Sequence, residues 1–289
     1  MKKSFIWKVY YKEKNNSNWN IFEGKKGFWY ADPILINFKM NKYVFMEAFD
    51  MKKQIGRLVV SKYENGKLEE SKIIMKRFFH LSYPCVFEYN DELYMIPETG
   101  QCTTLELWKC IGNIYNWKKM ATLKNHVRLA DTTVFVLNKT VYLISYEEEK
   151  EYITHIYMLN MSNYEVNEIE KIKNSSNNKR PAGKFFYYNQ KLYRPVQNNI
   201  KKYGESVIIN EIKSLRPFRE ITVKELTAAF FDNKFKKSNV HTLSFDDDIV
   251  VIDILEETKL PFYYNFIFIR KIRNLVFKLR LNLKKVINR

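Results

Sequence analysis

The sequence predicts an all-β fold, a five-bladed β-propeller, followed by a C-terminal basic amphipathic helix. Three observations lead there. A hairpin-shaped motif returns five times along the 289 residues, at a period of about fifty. The stretches between copies alternate apolar and polar residues, the period of a half-buried strand. The composition also favours strands, with 20 Tyr and 21 Phe and no alanine-rich run. With only 8 Gly and 7 Pro, the turns must be built from Asn, Asp and Lys.

The first copy is "WYADPILINFKMNKYVFMEAFD", Trp29 to Asp50: an apolar strand, a polar turn and a second apolar strand. The second is "SYPCVFEYNDELYMIPET" from Ser82, and the third is "ADTTVFVLNKTVYLISYEEE" from Ala130. The fourth is "PAGKFFYYNQKLYRPVQNN" from Pro181, and the fifth is "HTLSFDDDIVVIDILEE" from His241. Aligned on the turn, the copies are headed by Asp32, Tyr83, Asp131, Ala182 and His241. A constant offset of fifteen residues places Glu47, Glu98, Tyr146, Gln197 and Glu256 at their tails.

A propeller blade needs four short strands. The outer two are expected from "GRLVVSKYENGKLEESKIIM", "TLELWKCIGNIYNWKKMATL", "THIYMLNMSNYEVNEIEKI" and "ESVIINEIKSLRPFREITVKEL", which follow the first four copies. The segment before Trp29, "SFIWKVYYK" with "WNIFEG", is expected to close the ring. The domain division is therefore a propeller over 1–260 and a helix over 261–289. In the tail, Ile269, Ile272, Val276, Leu279, Leu283 and Val286 recur at three- and four-residue spacing. Arg270, Lys271, Arg273, Lys278, Lys284 and Lys285 fall largely off that stripe.

The net charge of +17 does not indicate a nucleic-acid partner. Eight Lys/Arg and no Asp/Glu lie in residues 261–289, and no nucleic-acid-binding motif accompanies them. The expected partner of residues 263–289 is an anionic membrane surface, with a partner protein as the alternative. Cys85, Cys102 and Cys110 give neither a zinc spacing nor an even disulfide set and read as thiols in a reducing compartment. The N-terminal run is basic, but too short and broken in its apolar part for a signal peptide. The expected location is cytoplasmic, peripheral on the inner membrane face through the tail.

In a propeller the innermost strands line the central axis, and their heads converge at one mouth of it. Recurring polar residues there would ring a pocket, although each could equally bind loop backbone. Asp32, Asp131 and Glu98 supply the parts of an acid/base pair, which glycoside chemistry needs on either side of one bond. Glu47, Tyr83, Gln197, His241 and Trp29 are candidates for holding a ligand. Aromatic faces such as Trp29 pack well on sugar C–H surfaces. Arg180 and Arg194 flank the fourth hairpin and suit an anionic group, or else pair with the carboxylates. No metal site and no cofactor is expected: there is no glycine-rich phosphate loop, and "FDDDI" reads as a solvated turn.

The blocks "WYADPILI", "HLSYPCVFEYNDELYMIPET", "RPAGKFFYYNQKLYRPVQ", "YGESVIINEI" and "HTLSF" resemble the N-terminal domain of glucosamine inositolphosphorylceramide transferases and its bacterial relatives. The resemblance runs from about Phe28 to Asp253. It implies a carbohydrate connection, in surface polysaccharide or glycolipid synthesis, with a carbohydrate or glycolipid ligand. It implies less about a reaction, because the plant enzymes' transferase chemistry is assigned to a separate C-terminal domain with no counterpart here. A more distant likeness is to five-bladed arabinanase and β-xylosidase glycosidases, which head each of the first three blades with an acid. Here Tyr83 stands where an Asp is expected, and Asp131 where a Glu is. The leading expectation is a glycosyltransferase-associated or sugar-binding propeller. The alternatives are a glycoside hydrolase of the same fold and a non-catalytic scaffold.

Overall fold

The computed structural model describes residues 4–149 and 151–258. The expected C-terminal helix, the membrane-facing stripe and the domain division at 260 lie outside those residues.

Five antiparallel sheets follow one another around a ring. The first blade runs Phe28–Phe38, Asn41–Asp50 and Ile55–Glu64, with its outer edge split between Lys67–Leu68 and Lys72–Met75. The second comprises Ser82–Tyr89, Glu92–Glu98, Thr104–Cys110 and Trp117–Asn125. The third comprises Ala130–Leu137, Thr140–Glu147, Tyr152–Leu159 and Val166–Asn174. In the fourth, the inner strand is broken into Arg180–Pro181 and Phe186–Tyr188, followed by Lys191–Asn198, Ser206–Leu215 and Phe218–Leu226. The fifth joins the two ends of the described chain. Asn239–Phe245 and Ile249–Thr258 are completed by Ser4–Glu13 and Asn20–Ile21, so the N-terminal segment closes the ring as expected. That closing pair runs unbroken from Ser4 opposite Thr258 to Glu13 opposite Ile249.

Each of the first four inner hairpins turns on two residues with positive φ: Lys39–Met40, Asn90–Asp91, Asn138–Lys139 and Asn189–Gln190. Two left-handed residues make the type I′ turn, whose twist matches that of the strands it joins. Asn and Asp tolerate that region, and they occupy four of these eight positions. The fifth hairpin instead turns through Asp246–Asp248, with the Asp246 amide bonded to the Ile249 carbonyl.

The core lies between blades rather than within them, because each sheet presents apolar residues on both faces. Leu58, Leu81, Met95, Leu107 and Leu143 belong to one cluster spanning the first three blades. Ile156 and Phe218 join the third blade to the fourth. Val207 and Ile252 join the fourth to the fifth, and Val9, Val44 and Val251 join the fifth to the first. Helix in the described residues is limited to Ala228–Phe231 and two 3₁₀ turns. None of it is long and apolar enough to cross a membrane.

Candidate functional site

The inner strands of blades one, two, three and five carry a β-bulge just after they begin, at Ala31/Ile34, Ser82/Cys85, Ala130/Thr133 and Val240/Leu243. In the first three, the head residue takes up the extra length with positive φ: Asp32 at 51°, Tyr83 at 42° and Asp131 at 47°. Bulges re-aim side chains, and left-handed non-glycine residues mark constrained positions. Each of these three amides is captured by a carboxylate from the preceding blade. Asp32 N–H donates to Asp253 Oδ2 (2.9 Å), Tyr83 N–H to Asp32 Oδ2 (3.0 Å) and Asp131 N–H to Glu98 Oε2 (3.1 Å). Asp32, Asp253 and Glu98 therefore stitch blade to blade as well as ringing the axis.

One half of the ring is His241 with its neighbours. Its Nδ1 lies 2.8 Å from Asp253 Oδ2 and its Nε2 3.4 Å from Asp32 Oδ1. Trp7 stacks on the imidazole at 3.8 Å between centroids, and Tyr203 meets it edge-on. Asp253 Oδ1 also accepts the His241 and Thr242 amides. Burial pushes Asp32 up from 3.8 to about 6; His241 opposes that shift, while Asp131 and Asp253 reinforce it. Burial works to lower the His241 value, but Asp253 and then Asp32 outweigh it, and the net shift is upward. Asp32, His241 and Asp253 each offer a ligand atom within 4.8 Å of the others, so this is the place among the described residues that could hold a metal ion. His241 lies between the two carboxyl groups and faces both.

The other half centres on Asp131 and Arg180. Arg180 Nε donates to Asp131 Oδ2 (2.5 Å), Nη1 to Glu148 Oε1 (3.1 Å) and Nη2 to Asp131 Oδ1 (3.3 Å) and Glu98 Oε2 (3.5 Å). Gln197 Nε2 donates to the same Asp131 Oδ2 at 2.8 Å. Burial first, then Asp131, holds the Glu98 carboxyl well above the usual range, against the pull of Arg180. Burial also opposes the Arg180 charge, but Asp131 outweighs it, so the guanidinium stays protonated. The Tyr203 ring lies 5.5 Å from the Arg180 guanidinium carbon. Glu47 is buried nearby, and burial followed by Asp32, Glu98 and Asp131 raises its pKa well above the ordinary value.

Seven expected residues are thus in one place: Asp32, Glu47, Glu98, Asp131, Arg180, Gln197 and His241. Three others have different duties. The Tyr83 side chain is fully buried, and its hydroxyl lies 2.6 Å from Thr133 Oγ1 and accepts the Gly183 amide at 2.9 Å. It spans from the second blade to the third and fourth, so a ligand-binding role is corrected to an internal tie. Arg194 is fully buried and gripped at two points by Glu220, both at 2.9 Å, with Nη1 on the Lys179 carbonyl at 3.4 Å. That pair holds Glu220 down at about 2 against burial, and Arg194 presents no charge to a ligand. Trp29 stacks on Phe49 at 4.5 Å between centroids and is half-buried.

The fifth tail is also corrected. Glu256 pairs with Lys8 and Tyr10 in the closing strand, not with the ring. In the first three hairpins the residue before the head faces the tail: Ala31–Glu47, Ser82–Glu98 and Ala130–Tyr146. In the fifth, Val240 faces Ile254, so that hairpin is two residues shorter and the constant offset overshoots. The inward carboxylate is Asp253, whose signal was a lone acid inside the apolar run "VVIDIL".

The family described as "Glucosamine inositolphosphorylceramide transferase 1, N-terminal" matches residues 21–242. A curated relative from Arabidopsis thaliana, glucosamine inositolphosphorylceramide transferase 1, is 26% identical over 230 residues, covering 75% of this chain and 30% of that protein. The chain thus spans less than a third of that relative's length. Among solved structures, a thermostable family-43 glycoside hydrolase superposes with a TM-score of 0.56 at 14% identity, over 82% of this chain and 95% of the other. An α-L-arabinofuranosidase from Clostridium thermocellum superposes with a TM-score of 0.55 at 13% identity, over 76% and 80%. At such identities the likeness is one of fold.

Proposed function

Since the chain belongs to the glucosamine inositolphosphorylceramide transferase 1 N-terminal family, we propose that it is a carbohydrate-binding propeller serving glycolipid or surface-polysaccharide synthesis, and that the ring around Asp32 and Asp131 receives the sugar. The observation that carries this reading is the convergence of five raised or charge-paired carboxyls, an arginine and a histidine at one end of the axis. Sugar hydroxyls need such a mixture of acceptors and donors, fixed in place before binding. Arg180 would hold an anionic substituent once it exchanges one carboxylate partner for a ligand oxygen. The tail, 263–289, would bring this mouth to an anionic cytoplasmic membrane leaflet, where each basic residue adds about 1 kcal/mol.

The test is a glycan and nucleotide-sugar binding screen on the wild type and on Asp32→Asn. The variant is expected to bind the selected sugar at least roughly tenfold more weakly, about 1.4 kcal/mol. Equal binding by both would remove Asp32 from the site, and no binding to any sugar would overturn the reading. A glycoside hydrolase is the second reading, favoured by two raised carboxyls in one ring, Asp32 at about 6 and the strongly raised Glu98. Free sugar released by the wild type and not by Asp32→Asn would select it.

A further inference from the structure

Glu47 carries an anomaly that the rest of the ring does not explain. It is 4% exposed, and its Oε1 has no hydrogen-bond partner among the described residues. A buried carboxylate oxygen without a donor is costly, and such groups in native proteins call for a reason. The surroundings have been shaped to keep it so. Gly56 lies directly against Oε1: a Cβ there would meet that oxygen at 2.5 Å and the Leu81 carbonyl at 2.3 Å. Glycine at this position is what admits the carboxyl. The Gly56 amide meanwhile donates to Nδ1 of His80 at 2.9 Å. With Nδ1 accepting, a neutral imidazole must carry its proton on Nε2, and Nε2 lies 3.4 Å from Glu47 Oε1. The His80 backbone is pinned by Gln101 at 2.6 Å, and Phe49 flanks its ring. The side chain of His80 is 28% exposed, so it also touches solvent.

We infer that Glu47 is the hydrogen-bond-donating carboxylic acid of the site, offering its proton to a sugar oxygen, and that His80 is its positioning residue. This rests on the carbohydrate reading above. As an acid, Glu47 needs no donor from the protein while it waits, which accounts for its unpartnered oxygen. When its proton moves toward the ligand, negative charge grows on the carboxyl, and the His80 Nε2–H is placed to answer it. A contact of 3.4 Å in the free protein is of the kind that tightens when the partner charges. The groups facing Glu47 favour the acid form at rest: burial, then Asp32, Glu98, Asp131 and Asp253 all oppose its charge. An Nε2–H on His80 favours the charged form, and His80 lies on the linker between the first two blades.

The experiment uses the ligand-free chain, so its outcome is separate from whether any sugar binds. Infrared difference spectra of wild type against Glu47→Gln, at neutral pH, are expected to show the carbonyl band of one protonated carboxylic acid in the wild type alone. Absence of that difference means Glu47 is ionised and overturns the proposal. Nitrogen-labelled histidine spectra of the wild type, which need no variant, are expected to show His80 protonated on Nε2 and not on Nδ1; the opposite tautomer overturns the arrangement. For the positioning role, His80→Phe should move the Glu47 titration upward, and His80→Gln, which keeps an N–H, should bring it back toward wild type. An unchanged midpoint in His80→Phe removes His80 from the proposal. A chain that passes these tests yet binds nothing in the screen would overturn the carbohydrate reading and leave the acid form of Glu47 standing.

Discussion

Tyr83 shows how one side chain can look like a ligand contact in the sequence and be a tie in the fold. It sits at a head position, in line with Asp32 and Asp131, and shares their backbone conformation. A tyrosine is long enough to cross the axis, and its hydroxyl finds Thr133 and the Gly183 amide on the far side. Gly183 cannot be replaced to compensate: a Cβ there would meet the Leu243 carbonyl at 2.0 Å. Tyr83→Phe keeps the ring but leaves the Gly183 N–H buried and unpaired, so it should destabilise the protein by about 1–3 kcal/mol. Urea denaturation of the two proteins measures this, and a loss below the error of extrapolation would mean that water replaces the hydroxyl. Sequence pattern brings seven residues to one place in the fold because facing the axis depends on position along a strand. It misplaced Tyr83 and Arg194 because reach and pairing depend on what stands opposite, Thr133 and Glu220, which no local window contains.

At the level of the hairpin, the strongest sequence signal was the turn. Four two-residue turns set the register, and register decided which residues face the axis. The fifth hairpin breaks the count: its turn is built differently, and the constant offset falls on Glu256 instead of Asp253. The first turn is the least suited to its conformation, with Lys39 at φ 47° and Met40 at 61°, the latter side chain wholly exposed. Lys39 is exposed as well and lays its ammonium over the neighbouring Phe38 ring. Replacing the pair with Asn-Gly should stabilise the chain by about 1–2 kcal/mol, since a left-handed residue other than glycine or asparagine costs roughly that much. A rise in the thermal midpoint of Lys39→Asn/Met40→Gly is the expected reading; a fall would show that the turn makes contacts beyond its own backbone.

For the molecule as a whole, the ring sets how stability follows pH. Asp32, Glu47 and Glu98 all bind protons more tightly folded than unfolded. Stability from such groups falls as pH rises through the interval between the two values. For Asp32 that interval runs from 3.8 to about 6, and above it this one buried carboxyl costs on the order of 3 kcal/mol. His241 adds in the same direction: its contribution is full below 6.5 and is lost as pH climbs through its raised folded value. Glu220 runs the other way, with stability present above 4.5 and lost as pH falls toward about 2. Stability should therefore peak on the acid side of neutrality, with a urea midpoint higher near about pH 5 than near about pH 7. Asp32→Asn should flatten the slope between them. A wild-type midpoint that rises across that range would contradict the charge arrangement derived for the ring.

The closing strand, Ser4–Glu13 against Ile249–Thr258, has a consequence for how the protein comes into being. On the ribosome the first of the described strands to be made is the last to find its place. It must wait, with the edge that Ile249–Thr258 will cover left open, while four blades are translated and stacked. Only when the ten residues from Ile249 emerge can the two ends meet and the circle lock. Such distant pairing is slow to form and leaves a sticky edge open in the meantime. The same delay means that no partial translation product can possess the finished ring. Asp253, which receives the Asp32 amide, lies within that final strand, so the ring of polar residues and the lock are completed in a single step.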